Sequence, residues 1–96
     1  MKKIKKYNLS EHKKKEIIKT ISTYLAQYDE IFAVYIFGSF ITSKAFSDID
    51  IGVLIQNGYE DPLAYEIELE GKLEKLVKFS MDVRVINKAP ISFPNA

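Results

Sequence analysis

The chain has 96 residues, a net charge of +1 and no cysteine. That length suggests a single domain over 1–96 with one modest core, and the lack of cysteine excludes disulfides and thiolate metal sites. No apolar run approaches the ~20 residues of a membrane span, and the Lys-rich start lacks the apolar stretch of a signal peptide, so a cytoplasmic protein is expected.

The near-neutral total hides an uneven distribution. Seven of the fourteen basic residues lie in the first fifteen positions: Lys2, Lys3, Lys5, Lys6, Lys13, Lys14 and Lys15. The arm over 1–9 reads either as a solvated terminus or as a contact for an acidic partner. It lacks interleaved aromatics beyond Tyr7, so nucleic-acid binding is not expected to be strong. Residues 60–74 lean the other way, with Glu60, Asp61, Glu66, Glu68, Glu70 and Glu74.

Ser10 precedes "EHKKKEIIKTISTYLAQY", in which Lys14, Ile17, Ile18, Ile21, Tyr24, Leu25 and Tyr28 recur at three- and four-residue spacing. That spacing predicts an amphipathic helix with a serine cap. "IFAVYIF" (31–37) is a β-branched and aromatic run ended by Gly38, the pattern of a buried strand. Residues 39–46 have room for about two helical turns. "DIDIGVLIQ" (48–56) predicts a second strand, closed by the turn pair Asn57-Gly58. Asp61-Pro62 then reads as a cap with proline at the first helical position. The helix that follows places Tyr65, Leu69, Leu73, Leu76 and Val77 on one side. "MDVRVI" (81–86) alternates as a third strand, and the tail over 88–96 has no clear period. The order α-β-α-β-α-β predicts an α/β (α+β) fold, a small mixed sheet flanked by helices. The aromatic residues are expected mostly in the core, notably Tyr24, Phe32 and Phe37.

Two carboxylates opening an apolar strand call for an explanation. Strand alternation puts Asp48 and Asp50 on one face, roughly 6–7 Å apart, with Gly52 and Leu54. Ile49, Ile51, Val53 and Ile55 form the apolar set that must enter the core. The alternatives are a water-exposed turn that opens the strand and a cation site. Two like charges this close repel, and a hard divalent cation such as Mg²⁺ or Mn²⁺ relieves them. Zinc has no credible ligands, since His12 is the only histidine. Gly52 beside the aspartates is expected to leave room for a ligand to approach the backbone. Asp82 stands at the start of the third strand with Arg84 and Ile86 on its face; it joins the pair if the two strands are neighbours, unless Arg84 neutralises it. Gly38-Ser39 ends a strand at a turn, where backbone N–H groups and a hydroxyl can meet an anion.

"GSF…SDIDIGV" resembles the Gly-Ser…Asp-x-Asp signature of the DNA polymerase β-like nucleotidyltransferase superfamily, with Gly38, Ser39, Asp48 and Asp50 matching and Ser47 fitting the Ser-Asp-x-Asp form. Asp82 is similar in type and order to the third carboxylate. The size is similar to that of the minimal nucleotidyltransferases, often the antitoxin half of a HEPN–MNT pair. The resemblance implies a nucleotidyltransferase fold and transfer of a nucleoside monophosphate, AMP from ATP as the best guess, to an acceptor hydroxyl. Gly38, Ser39, Ser47 and Lys44 would attend the phosphates, and Asp48, Asp50 and Asp82 would hold Mg²⁺ or Mn²⁺, with Asp82 as general base. A HEPN-type toxin is the implied partner protein, and homo-oligomerisation is left open. The sequence departs from many relatives in having Phe40, Ile41 and Thr42 where an arginine shortly follows the Gly-Ser pair. An alternative from another class is a binding module that neutralises a partner by contact, with little or no turnover.

Overall fold

A computed structural model describes residues 6–56 and 61–87. The predicted order of helices and strands holds, with two short strands added. In chain order the elements are β1 (Tyr7–Asn8), α1 (Glu11–Leu25), β2 (Ile31–Phe37), α2 (Ser39–Thr42), β3 (Ala45–Phe46), β4 (Ile49–Ile55), α3 (Pro62–Val77) and β5 (Met81–Val85). The Asn57-Gly58 turn, the first five residues and the tail over 88–96 lie outside the described residues.

Both long helices start as their sequences dictate. The Ser10 hydroxyl accepts from the Lys13 amide at 3.1 Å, and the Asp61 carboxylate accepts from the Ala64 amide at 3.1 Å with Pro62 behind it. Helix α3 ends through Lys78 in the left-handed region (φ 71°), which turns the chain back into β5.

The main sheet runs β2-β4-β5, with β2 antiparallel and β5 parallel to β4. The parallel pair needs a crossover, and α3 provides it. Ile49, Ile51, Val53 and Ile55 all lie buried on one face of β4, as alternation requires. Met81 and Val83 of β5 join them, and Ile17, Ile21 and Leu25 of α1, Phe40 of α2, Phe46 of β3 and Leu69 and Leu73 of α3 complete the core. At roughly 25 cal/mol per Å² of apolar surface removed from water, this single cluster is the main stabilising term.

The edge strand β5 is closed by side chains rather than by another strand. Its outward amides at Met81, Val83 and Val85 donate to the carboxylates of Glu74, Glu70 and Glu66 on α3, at 2.9, 2.8 and 2.7 Å. The four-residue spacing of these glutamates stacks them along one side of the helix, so they meet alternate residues of the strand. Much of the acidic lean of residues 60–74 is therefore structural. At the far end of β4, the Asn87 side chain accepts from the Ile55 amide at 2.8 Å and donates to the Ile55 carbonyl.

Four expectations about apolar residues fail. Strand β2 is not a buried strand, since as an edge strand none of its residues is more than partly covered. Phe32 is exposed because the pairing of β2 with β4 slips between Ile31 and Ala33 and leaves it without a partner. Phe37 is also exposed, since it stands on the face turned away from both helices. Leu76, placed by spacing on the buried side of α3, lies at its exposed margin. The stretch over 39–46 makes one helical turn instead of two, because Ala45–Phe46 pairs antiparallel with Tyr7–Asn8. No helix among the described residues is long and apolar enough to cross a membrane.

Candidate active site

The pairing of the sheet brings three separated stretches of sequence together. Asp50 of β4 lies opposite Phe37, the residue before Gly38, and opposite Asp82 of β5. Two carboxylates thus stand side by side on neighbouring strands, on the face that carries no helix among the described residues. Gly38 has φ +82° and ψ −163°, a region open essentially to glycine. Its missing side chain matters as well, since any Cβ there would collide with Asp50 Oδ2. The glycine and the aspartate of the motif therefore fit each other.

The turn that follows is compact. The Gly38 carbonyl accepts from the amides of Ile41 and Thr42 at 3.0 and 3.1 Å and from the Thr42 hydroxyl at 3.2 Å. The Ser39 carbonyl accepts from the Ser43 amide at 2.9 Å. Ser39 itself is exposed, while Phe40 is wholly buried, its ring edge-on to Phe46 at 4.8 Å between centroids. The position next to the Gly-Ser pair is thus used as a core anchor, and Ile41 and Thr42 are exposed. From below, Lys14 of α1 donates from Nζ to the Ser43 carbonyl at 2.7 Å.

Asp50 is half-buried, and its carboxyl is held above the ordinary aspartate range. Partial burial is the main cause, the neighbouring carboxylates of Asp82 and then Asp48 add to it, and Arg84 opposes it. Arg84 pairs with Asp82 through Nε at 3.2 Å, and its second contact from the guanidinium to Oδ2 is 3.5 Å. That pair holds the guanidinium even further above its usual value. Asp48 is exposed just before β4, beside the half-buried Ser47, and Lys44 is exposed in the turn after α2. The structure thus brings Gly38, Asp50 and Asp82 into contact or register. Ser39, Lys44, Ser47 and Asp48 lie in the connected segment between them.

Carboxylate oxygens that repel one another around Asp50 are a donor set that suits a hard divalent cation. They do not form a closed cluster: among the described residues, no three acidic or histidine side chains converge to hold an ion. Asp82 is turned to Arg84 and Asp48 is exposed. The expectation for Gly52 is corrected. The space above it is filled, because an added Cβ would lie 3.2 Å from Ile86 and 3.5 Å from the Phe37 ring. It admits two apolar side chains of its own chain, not a ligand.

One residue of this neighbourhood, Lys14, was legible only as a lysine in an apolar stripe. Its spacing from Ile17, Ile21 and Leu25 marks a core-facing position, and it is 4% exposed.

Residues 19–95 match the family described as Polymerase beta, Nucleotidyltransferase. No curated protein and no solved structure matches the chain at a significant level.

Proposed function

The chain belongs to the polymerase β nucleotidyltransferase family, and from that premise we propose that it moves a nucleoside monophosphate, AMP from ATP, onto an acceptor hydroxyl. The observation that carries this reading is the meeting of the two halves of the motif. The Asp50 carboxylate lies against Gly38, and Asp82 stands in register beside it. A triphosphate held at Gly38 and Ser39 is therefore adjacent to the carboxylates rather than elsewhere on the molecule. Ser47 and Lys44, on the segment between, are suited to the outer phosphates.

Asp48, Asp50 and Asp82 would hold Mg²⁺ or Mn²⁺. When bound, such a cation neutralises charge on the triphosphate and makes the acceptor hydroxyl more acidic. The chain's own residues do the rest. The turn over 38–43 orients the phosphates, and the Asp82 carboxylate takes the proton of the acceptor hydroxyl as its oxygen bonds to the α-phosphorus. The bond to the bridging oxygen breaks, and pyrophosphate leaves.

For the acceptor we propose a hydroxyl on a partner protein, a tyrosine of a HEPN-type toxin, which rests on the resemblance to minimal nucleotidyltransferases. A second reading, binding by contact with little turnover, is favoured by one observation: Asp82 is already neutralised by Arg84. Incubation with α-labelled ATP, Mg²⁺ and the product of the neighbouring gene separates the two. Label on the partner that is lost with Asp48→Asn/Asp50→Asn supports transfer. A tight complex that stays unlabelled with either protein overturns transfer in favour of contact.

A further inference from the structure

Lys14 is the one charged side chain in the buried set among the described residues. It stands on the inner face of α1, in line with Ile17, Ile21 and Leu25. Among the described residues no carboxylate lies within ion-pairing reach of it. Its ammonium instead donates to the Ser43 carbonyl at 2.7 Å and lies 5.5 Å and 5.7 Å from the ring centroids of Phe40 and Phe46.

A buried ammonium without a carboxylate is costly to desolvate, and an apolar side chain of similar length is often as stable or more so in such a place. Two aromatic faces and one carbonyl lessen that cost without making lysine the most stabilising choice. What the lysine does supply is specific to its location. Ser43 closes the turn that starts at Gly38, and its amide is bonded to the Ser39 carbonyl. Phe40, under the ammonium, is the residue next to Ser39. The charge therefore sits beneath the turn, on the side opposite Asp50.

We propose that Lys14 is a positioning residue for the phosphate-holding turn. It fixes the far end of the turn through Ser43 and adds positive charge beneath Ser39, so that triphosphate affinity depends on it and fold stability does not. This rests on the reading of Gly38-Ser39 as the phosphate site. It assigns to α1, outside the signature, a part in ligand binding.

The test uses the full chain and Mg²⁺ with inorganic tripolyphosphate, which probes the phosphate site without a base or an acceptor. Lys14→Met is expected to keep or raise the unfolding midpoint and to bind tripolyphosphate roughly tenfold more weakly, the scale of one lost charge-assisted contact. Lys14→Gln, which retains a donor without the charge, is expected to fall between it and the wild type. Because the chain has no cysteine, Lys14→Cys offers a chemical rescue. Alkylated with 2-bromoethylamine while unfolded and then refolded, it regains an ammonium on a side chain of the same length, and affinity should return.

Equal affinity of wild type and Lys14→Met overturns the proposal. So does a loss of affinity that only tracks a fall in unfolding midpoint, including failure of both Lys14→Met and Lys14→Gln to fold, since the role is then structural. If the wild type itself binds no tripolyphosphate, the phosphate-site reading falls and takes this proposal with it.

Discussion

Two sets of three carboxylates border one small sheet, one set on helix α3 and one at the strand ends, and their oxygens are engaged in opposite ways. Glu66, Glu70 and Glu74 each accept a backbone amide of β5, at 2.7 to 2.9 Å. Asp48 and Asp50 accept no hydrogen bond from another described residue, and Asp82 shares an exposed arginine on its own strand. The first set has its demand met by the fold. In the second, partial burial and then the crowding of like charge at a strand end leave Asp50 harder to ionise than an ordinary aspartate. Charge density along the sequence does not separate these two uses. The partners of the oxygens do: a carboxylate that closes an edge strand has its hydrogen bonds met by the fold, and one that repels its neighbours does not.

The sharpest way to break this contrast is Asp50→Asn. Labelled transfer, and Mn²⁺ affinity by titration calorimetry, are each expected to fall at least about a hundredfold, while the unfolding midpoint does not fall. A drop in stability without loss of metal binding would put Asp50 with the glutamates. Gly38→Ala comes next, because it affects both fold and site. The backbone conformation alone should cost about 1–3 kcal/mol, and Asp50 must swing away. Chemical denaturation reads the first effect and Mn²⁺ titration the second.

Glu70→Leu is the mirror of the Asp50 change. It leaves the Val83 amide without its acceptor, at an expected cost of about 1–3 kcal/mol by urea unfolding, with Mn²⁺ affinity unaltered. Arg84→Gln is milder. Removing the cation that shares Asp82 should raise Mn²⁺ affinity of the nucleotide-free protein roughly two- to fivefold, the scale of an exposed ion pair.

The smallest expected effect is a pH dependence in metal-free protein. The Asp50 carboxyl is raised on folding above its ordinary value of 3.8, so the folded state holds the proton more tightly. Its ionised form therefore weakens the fold, fully so above the raised value and not at all below the ordinary one. Asp50→Asn should be more stable than wild type near neutrality, and the difference in unfolding midpoint should shrink as pH falls towards 4. A gap that widens with acid would reverse the sign of the argument.

The sequence carried the central strand better than it carried the edges. Ile49, Ile51, Val53 and Ile55 were readable because β4 has one buried face, which forces strict alternation, and the same alternation turned Asp50 the other way. Ser10 and Asp61-Pro62 were readable because caps act within three residues. Phe32 and Phe37 were not, since aromatic residues default to the core and nothing local announces a pairing slip or an open face. The glutamate closure of β5 had a signal, the spacing of 66, 70 and 74, but one that equally describes a solvated helix face. Arg84 beside Asp82 was readable from two-residue spacing. The seating of Lys14 under Ser43 joins residues 29 apart in sequence and could not be.

The small ladder of β1 with β3 bears on how the molecule is completed. Tyr7 meets Phe46, so the segment running into Ser47 and Asp48 is closed by a contact spanning most of the first half of the chain. Such a closure carries the entropy of a long loop; its ladder is two residue pairs long, and the rings of Tyr7, Phe46 and Phe79 pack beneath it. It should open on its own, without the sheet opening, and amide exchange at Ala45 and Phe46 should outpace that of β4. The strand that carries Asp50 would then outlast the ladder that precedes Asp48, so the two aspartates would differ in how firmly the fold holds them.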